Sequence, residues 1–265
     1  MRRLFQPMVH RAALLSAALL IPCISNAQTD CEAGNGLVDF TPPPGMSVQQ
    51  VIEKFGAEEA KMKMARQRYT FTQDVSIHPV DSATASGTYH EVTTISYDDK
   101  GKRLENVNLA ENTLRGLALT AEDMDDIRVF MPLVLTTDDL QQYKLIYGGK
   151  QRVDDLETYM FHVEPKKEDK RYFQGRIWVD NRDFQIVKVC GKSGPEKRVK
   201  KRQQPDLRPT FVTYRQQVGE FWFPAYTRSD DTLQFPRGSI HLREIVKWTG
   251  YKEPAPTAPA EAAKP

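Results

Sequence analysis

Cysteine is scarce in this sequence, three in 265 residues, and no Cys-x-x-Cys pair occurs, which removes the common zinc and thioredoxin-type redox frames. Gly-x-Ser-x-Gly, His-Glu-x-x-His and the glycine-rich phosphate loop are missing as well, so no motif marks an esterase nucleophile, a zinc protease or a nucleotide enzyme. Histidine is thin and scattered beyond residue 27: His78, His90, His162 and His241 fall one to each strand-like segment. His162 and Glu164 share a strand face, but without a third partner they read as a solvent-facing pair rather than a metal site. The paired acids, such as Asp98-Asp99 and Asp154-Asp155, read as turns, where Asp bonds its own backbone. No enzyme activity, cofactor or metal is expected from these residues.

A strong charge of either sign is absent too. The formal charge is +2, and removing Arg2, Arg3 and Arg11 takes the 37 basic residues to 34 against 35 acids. Those arginines belong to an export signal: a positive start, an apolar run from Ala12 to Ile24 and the small-x-small stretch Ser25-Asn26-Ala27. The run is about a dozen residues, short of the roughly 20 that a membrane-spanning helix needs, so cleavage after Ala27 is expected. Pro22 stands where a lipobox requires a small residue before Cys23, which argues against a lipid anchor. The expectation is a soluble, nearly neutral monomer in the periplasm of a Gram-negative-type bacterium, with no field to attract nucleic acid. Cys31 and Cys190 remain after cleavage; an oxidising compartment allows a disulfide between them, and two unpaired thiols are the alternative.

Residues 28–46, with Asn35-Gly36 and Pro42-Pro43-Pro44-Gly45, read as a flexible leader, and the Pro/Ala tail from 253 to 265 as disordered. Between them, residues 47–252 have the length of one domain. Ser47 is the expected N-cap of a helix whose stripe is Val48, Val51, Ile52 and Phe55, ahead of a charged stretch from Glu58 to Arg68. The period then drops to two. From Tyr69 to Ile77 the odd positions are apolar, Gln73 excepted, which is a strand with one buried face. About ten such segments follow one another, joined by turns such as Asp98-Asp99-Lys100-Gly101 and Gly148-Gly149. A helix capped by Thr120, with Met124, Ile127, Phe130 and Met131 on its apolar side, interrupts them; by spacing alone it covers a core. Lys197, Arg198, Lys200, Lys201 and Arg202 form a basic loop, read as solvated or as a contact for anionic headgroups or an acidic partner.

The order of features, with Phe71-Thr72-Gln73, Gly87-Thr88-Tyr89, Tyr159-Met160-Phe161-His162-Val163-Glu164-Pro165, Gly175-Arg176-Ile177-Trp178-Val179-Asp180 and Phe221-Trp222-Phe223-Pro224, resembles the LolA/LolB-like lipoprotein-carrier superfamily. The resemblance covers about residues 47–250. It implies an α+β, mostly β fold: a curved antiparallel half-barrel of about ten strands, with helices over the concave face. It also implies a periplasmic carrier or chaperone that binds lipidated protein or lipid, with Thr120–Met131 as a lid. Phe71, Tyr89, Phe161, Trp178, Phe184 and Trp222 would line the cavity, with Met124, Ile127, Phe130 and Met131 on the lid. The carriers' lid-latching arginine would be sought near Arg66 and Arg68, and nothing in the sequence picks one. The same fold occurs in RseB-like envelope-stress regulators, so a ligand-modulated sensor or adaptor, with the basic loop as its docking surface, is the alternative.

Overall fold

Ser47 opens the first helix with a reciprocal cap: its hydroxyl accepts from the Gln50 amide at 3.2 Å while Gln50 Oε1 accepts from the Ser47 amide at 2.8 Å. In a computed structural model describing residues 28–125, 127–128, 131–167, 172–193, 208–235 and 238–253, this helix, α1, runs Val48–Arg66. The export signal, the basic stretch 197–202, Phe130 and the tail beyond Glu253 lie outside the described residues. The apolar stripe of α1 continues past Phe55 through Met62 and Ala65, with Glu59 buried in its midst.

Ten strands form one antiparallel sheet. They are β1 Thr70–Val80, β2 Tyr89–Tyr97, β3 Arg103–Asn112, β4 Tyr143–Val153, β5 Leu156–Pro165, β6 Phe173–Asp180, β7 Ile186–Ser193, β8 Phe211–Val218, β9 Phe221–Phe235 and β10 Gly238–Lys252. The sheet order is β3-β2-β1-β10-β9-β8-β7-β6-β5-β4, so β1 pairs with β10 and every other neighbour is joined in sequence. β3 and β4 do not pair with each other, and the sheet stays open as the expected half-barrel. Alternation sorts the side chains: Phe71, Gln73, Val75 and Ile77 of β1 are all buried, with half-exposed residues between them.

One main core joins α1 (Val51, Phe55) to the helix-facing side of the sheet, including Phe71, Val75, Phe161, Ile177, Val246 and Trp248. Two short helices, α2 Ala121–Asp125 and α3 Thr137–Leu140, lie in the connection from β3 to β4. Gly56 allows α3 to approach α1, since a Cβ there would stand 2.7 Å from Leu140 Cδ1.

Three local expectations change. Gly148-Gly149 is not a turn but a bulge inside β4, whose register shifts between Tyr147 and Gly149. Gly149 has φ +123°, and a Cβ there would meet Val38 Cγ1 at 2.7 Å and Asp39 O at 2.8 Å. Phe184, which the sequence places at the start of a strand-like segment running to Cys190, instead precedes β7 in the turn, with φ +57°. Residues 28–46, read as a flexible leader, instead form a strap. It crosses the outer face and pairs along the β4 edge through Asn35 with Val153 and Asp39 with Lys150. Asp39 is pulled down to about 2 by the Lys150 ammonium and by the Thr41 amide and hydroxyl that bond it.

Candidate functional site: the covered concave face

The segment from Leu119 to Leu135 is the cover. Thr120 caps α2 as expected, its hydroxyl donating to Asp123 Oδ2 at 2.8 Å and accepting from the Asp123 amide. α2 is short, and residues 127–128 continue as a wider π turn. From there Ile127, Met131, Leu133 and Leu135 enter the main core, each at most 6% exposed, with Met124 and Leu119 packed at its margin. The cover's main chain is bonded by side chains of other elements. Met131 O accepts from the Thr213 hydroxyl at 2.8 Å, Leu133 O accepts from Arg215 Nη2, and the Leu135 amide reaches Glu59 Oε2 at 3.4 Å.

Arg215 is thus the arginine that bonds the cover's main chain, not Arg66 or Arg68. It also grips Glu59 of α1 with both nitrogens, at 2.6 and 2.9 Å, and neither side chain is more than 1% exposed. The fork geometry matches a carboxylate, and two further guanidinium N–H groups go to carbonyls of Leu133 and Trp222. The pair joins α1, β8 and the cover. Its signal was visible: Glu59 stands four residues after Phe55 and three before Met62, a charge in an apolar stripe, and Arg215 follows Phe211 and Thr213 at period two.

Most expected lining residues meet on this face. Phe71 and Phe161 are buried there, Phe161 tilted against Phe55 at 5.6 Å, and Tyr89 and Phe184 pack at the margin with Lys54 Nζ 4.3 Å over the Phe184 ring. Trp178 and Trp222 do not. The register sets Trp178 opposite Met160 and Lys188 and leaves its neighbour Ile177 for the concave core, so Trp178 lies on the outer face. There Trp178, Met160, Val187, Cys190 and Val212 form a second core, with Trp222 and Cys31 packed against it. Trp178 Nε1 donates to Gln151 Oε1 at 2.7 Å, and Trp222 Nε1 to Asp183 Oδ2 at 2.9 Å.

The strap seals this second core. Cys31 is disulfide-bonded to Cys190, Arg176 pairs with Glu32, and Lys188 donates to Ala33 O at 3.0 Å and Asn35 Oδ1 at 2.7 Å. Lys188 is fully buried, its ammonium 4.9 Å over the Trp178 ring, and burial lowers its pKa to about 8. Two open clefts flank the strap's passage to α1: one of about 360 Å³ between Leu37, Pro44 and Asn181, and one of about 440 Å³ beside Met46, Gln50 and Lys54.

No protein-family model matches the sequence, and no curated protein does. Among solved structures, the chain is similar to a DUF1329 family protein from Desulfovibrio piger, at 14% identity over 83% of this chain and 97% of that one, with a TM-score of 0.43. It is similar to a LolA superfamily protein from Nitrosomonas europaea at 11% identity, 80% and 96% coverage and a TM-score of 0.39. It is also similar to the Pseudomonas aeruginosa MucA/MucB complex structure at 12% identity, 74% and 94% coverage and a TM-score of 0.24.

Proposed function

We propose that the protein is a non-catalytic carrier or chaperone of the cell envelope that binds an apolar ligand, such as lipoprotein acyl chains or lipid, on its concave face. One observation carries this reading: the concave core is closed by a segment that contributes apolar side chains but no strand to the sheet. Such a cover can lift without breaking a β-ladder. The energies are matched. Burying Ile127, Met131, Leu133 and Leu135 is worth roughly 6–12 kcal/mol. An acyl chain of about 16 carbons gains on the order of 12 kcal/mol gross, before ordering and association costs. The two gross terms are of the same order, so a chain can compete with the cover's own apolar side chains for the concave face.

The test is lipid extraction and native mass spectrometry of protein purified from its own envelope. An acyl ligand at near-stoichiometric amount is expected, and protein that is consistently empty sinks the proposal. A folded Phe161→Ala protein should bind a fluorescent fatty acid several-fold more weakly, and unchanged affinity rejects Phe161 as lining; Ile127→Ala, which loosens the cover, should not weaken binding.

A second reading, an envelope adaptor whose partner contact responds to ligand, draws support from β3. That edge strand exposes Leu104, Val107 and Leu109 together with an unpaired backbone edge. Empty protein that co-purifies with a tight protein partner would favour it.

A further inference from the structure

Among the described residues, two buried side-chain polar atoms have no hydrogen-bond partner, Gln73 Nε2 and Arg66 Nε. Both are donors. Gln73 interrupts the apolar alternation of β1 on the helix-covered face, is 4% exposed, and has Trp248 of β10 and Thr93 of β2 as its cross-strand partners. Its orientation is forced: Arg103 Nη2 of β3 donates to Gln73 Oε1 at 2.7 Å, and a guanidinium can only donate, so the amide nitrogen must point the other way. Arg66 ends α1 four residues after the buried Met62, on the same stripe. The end of α1 stands over the β2–β3 turn, where a Cβ on Gly101 would come within 3.0 Å of Gln67 Oε1. Arg66 and Arg103 both act electrostatically on Tyr251. Burial raises its phenol while both guanidiniums act the other way.

The charges here lean positive. Arg103 donates to Glu105 at 2.8 Å, and Arg128 of the cover reaches the same carboxylate at 3.2 Å. Glu91 accepts from the Tyr89 and Thr93 hydroxyls. Arg103 and Arg128 thus share the single carboxylate of Glu105, and Arg66 makes no ion pair among the described residues. Buried donors left unmade are costly and rare in native proteins, and a pair of them beside excess positive charge is suited to an incoming oxyanion.

We infer that Gln73, Arg66 and Arg103 form a polar subsite beneath the cover that takes the anionic head group, carboxylate or phosphate, of an acyl amphiphile. The subsite deepens the carrier reading and rests on it: the tail lies on the apolar face among Phe71, Phe161 and Trp248, and the head bonds at the β1–β3 end. It makes the protein selective for anionic over neutral amphiphiles.

The test is displacement of the neutral apolar probe phenylnaphthylamine by hexadecanoate, hexadecyl phosphate, hexadecanol and inorganic phosphate. The two anionic amphiphiles should compete about tenfold or more better than the alcohol, as expected for charge-assisted hydrogen bonds made in a buried site. Inorganic phosphate should not compete. In Gln73→Leu and Arg66→Met proteins the preference should shrink towards parity while hexadecanol competes as before. Gln73→Leu removes an unmet donor together with the acceptor of Arg103 Nη2, so thermal melting followed by circular dichroism confirms that the variant is folded before its preference is read. Equal competition by acid and alcohol in the unmodified protein, or a preference that survives both substitutions, overturns the subsite and leaves the carrier standing. A probe that never binds overturns both, and competition by inorganic phosphate alone assigns the site to a free anion and overturns the head-group assignment.

Discussion

Lys188 sits in an environment at odds with its chemistry: an ammonium with no exposed surface, between the rings of Trp178 and Tyr214, bonded to a carbonyl and an amide oxygen of the strap. Burial is the main cause of its fall from 10.5 to about 8, outweighing the attraction of Glu32 and Asp154. The sign of the linkage follows. Below about 8 both folded and unfolded chains hold the proton; between about 8 and 10.5 only the unfolded chain does, so stability rises with pH across that window. The stability difference between the wild type and Lys188→Met should therefore move in favour of the wild type by about 2 kcal/mol from pH 7.5 to pH 10. Chemical denaturation at a series of pH values measures it, and a difference that stays flat or falls would show that the strap's acids win over burial.

At the scale of elements, Glu59 and Arg215 decide how the cover is fixed. They tie α1, β8 and Leu133 together at one buried point. Removing one partner strands a buried charge, and Glu59→Leu or Arg215→Met should each cost about 3–5 kcal/mol of stability. The double substitution should recover part of that loss, because two apolar side chains of similar size need no partners, while the Leu133 and Trp222 carbonyls and the Leu135 amide are left unbonded. A double-mutant cycle by urea unfolding checks this, and simple additivity of the two losses would refute the coupling. The cover depends on this bond more than on its helix, since α2 has a single capped turn. Sequence periodicity read α2 as longer because Met124, Ile127, Phe130 and Met131 fit a helical stripe, yet α2 ends at Asp125, and Ile127, in a π turn, and Met131 lie in the core.

Across the whole molecule the two ends of the sheet are treated differently. The strap pairs with β4 and covers the outer face as far as Asp230 and Asp231, which bond Thr29. β3 has no such cover, and every residue from Leu104 to Asn112 is exposed. Hydrogen exchange should follow that gradient. Amides of β3 should exchange well before those of β7, six of whose residues are buried in succession, and β4 should be protected beyond an ordinary edge strand. Mass spectrometry of peptides from the three strands reads this directly, and equal rates for β3 and β4 would mean that the strap does not hold its edge.

What the sequence determined by itself is local. The Ser47 and Thr120 caps, the change from a period of 3.6 to 2 near Tyr69, and the turn at Asp98 all follow from interactions within a few residues, so ten strands and the leading helix were legible without coordinates. The tertiary structure decided what depends on register and on distant pairing. A single step of alternation put Ile177 inside and Trp178 outside. Cys31 found Cys190 across 159 residues, turning an apparently loose leader into a strap, and Glu59 met Arg215 across 156. Gln73 was visible in the sequence as an exception on an apolar face. Only the neighbouring guanidinium of Arg103, thirty residues away, fixed which end of its amide was left without a partner.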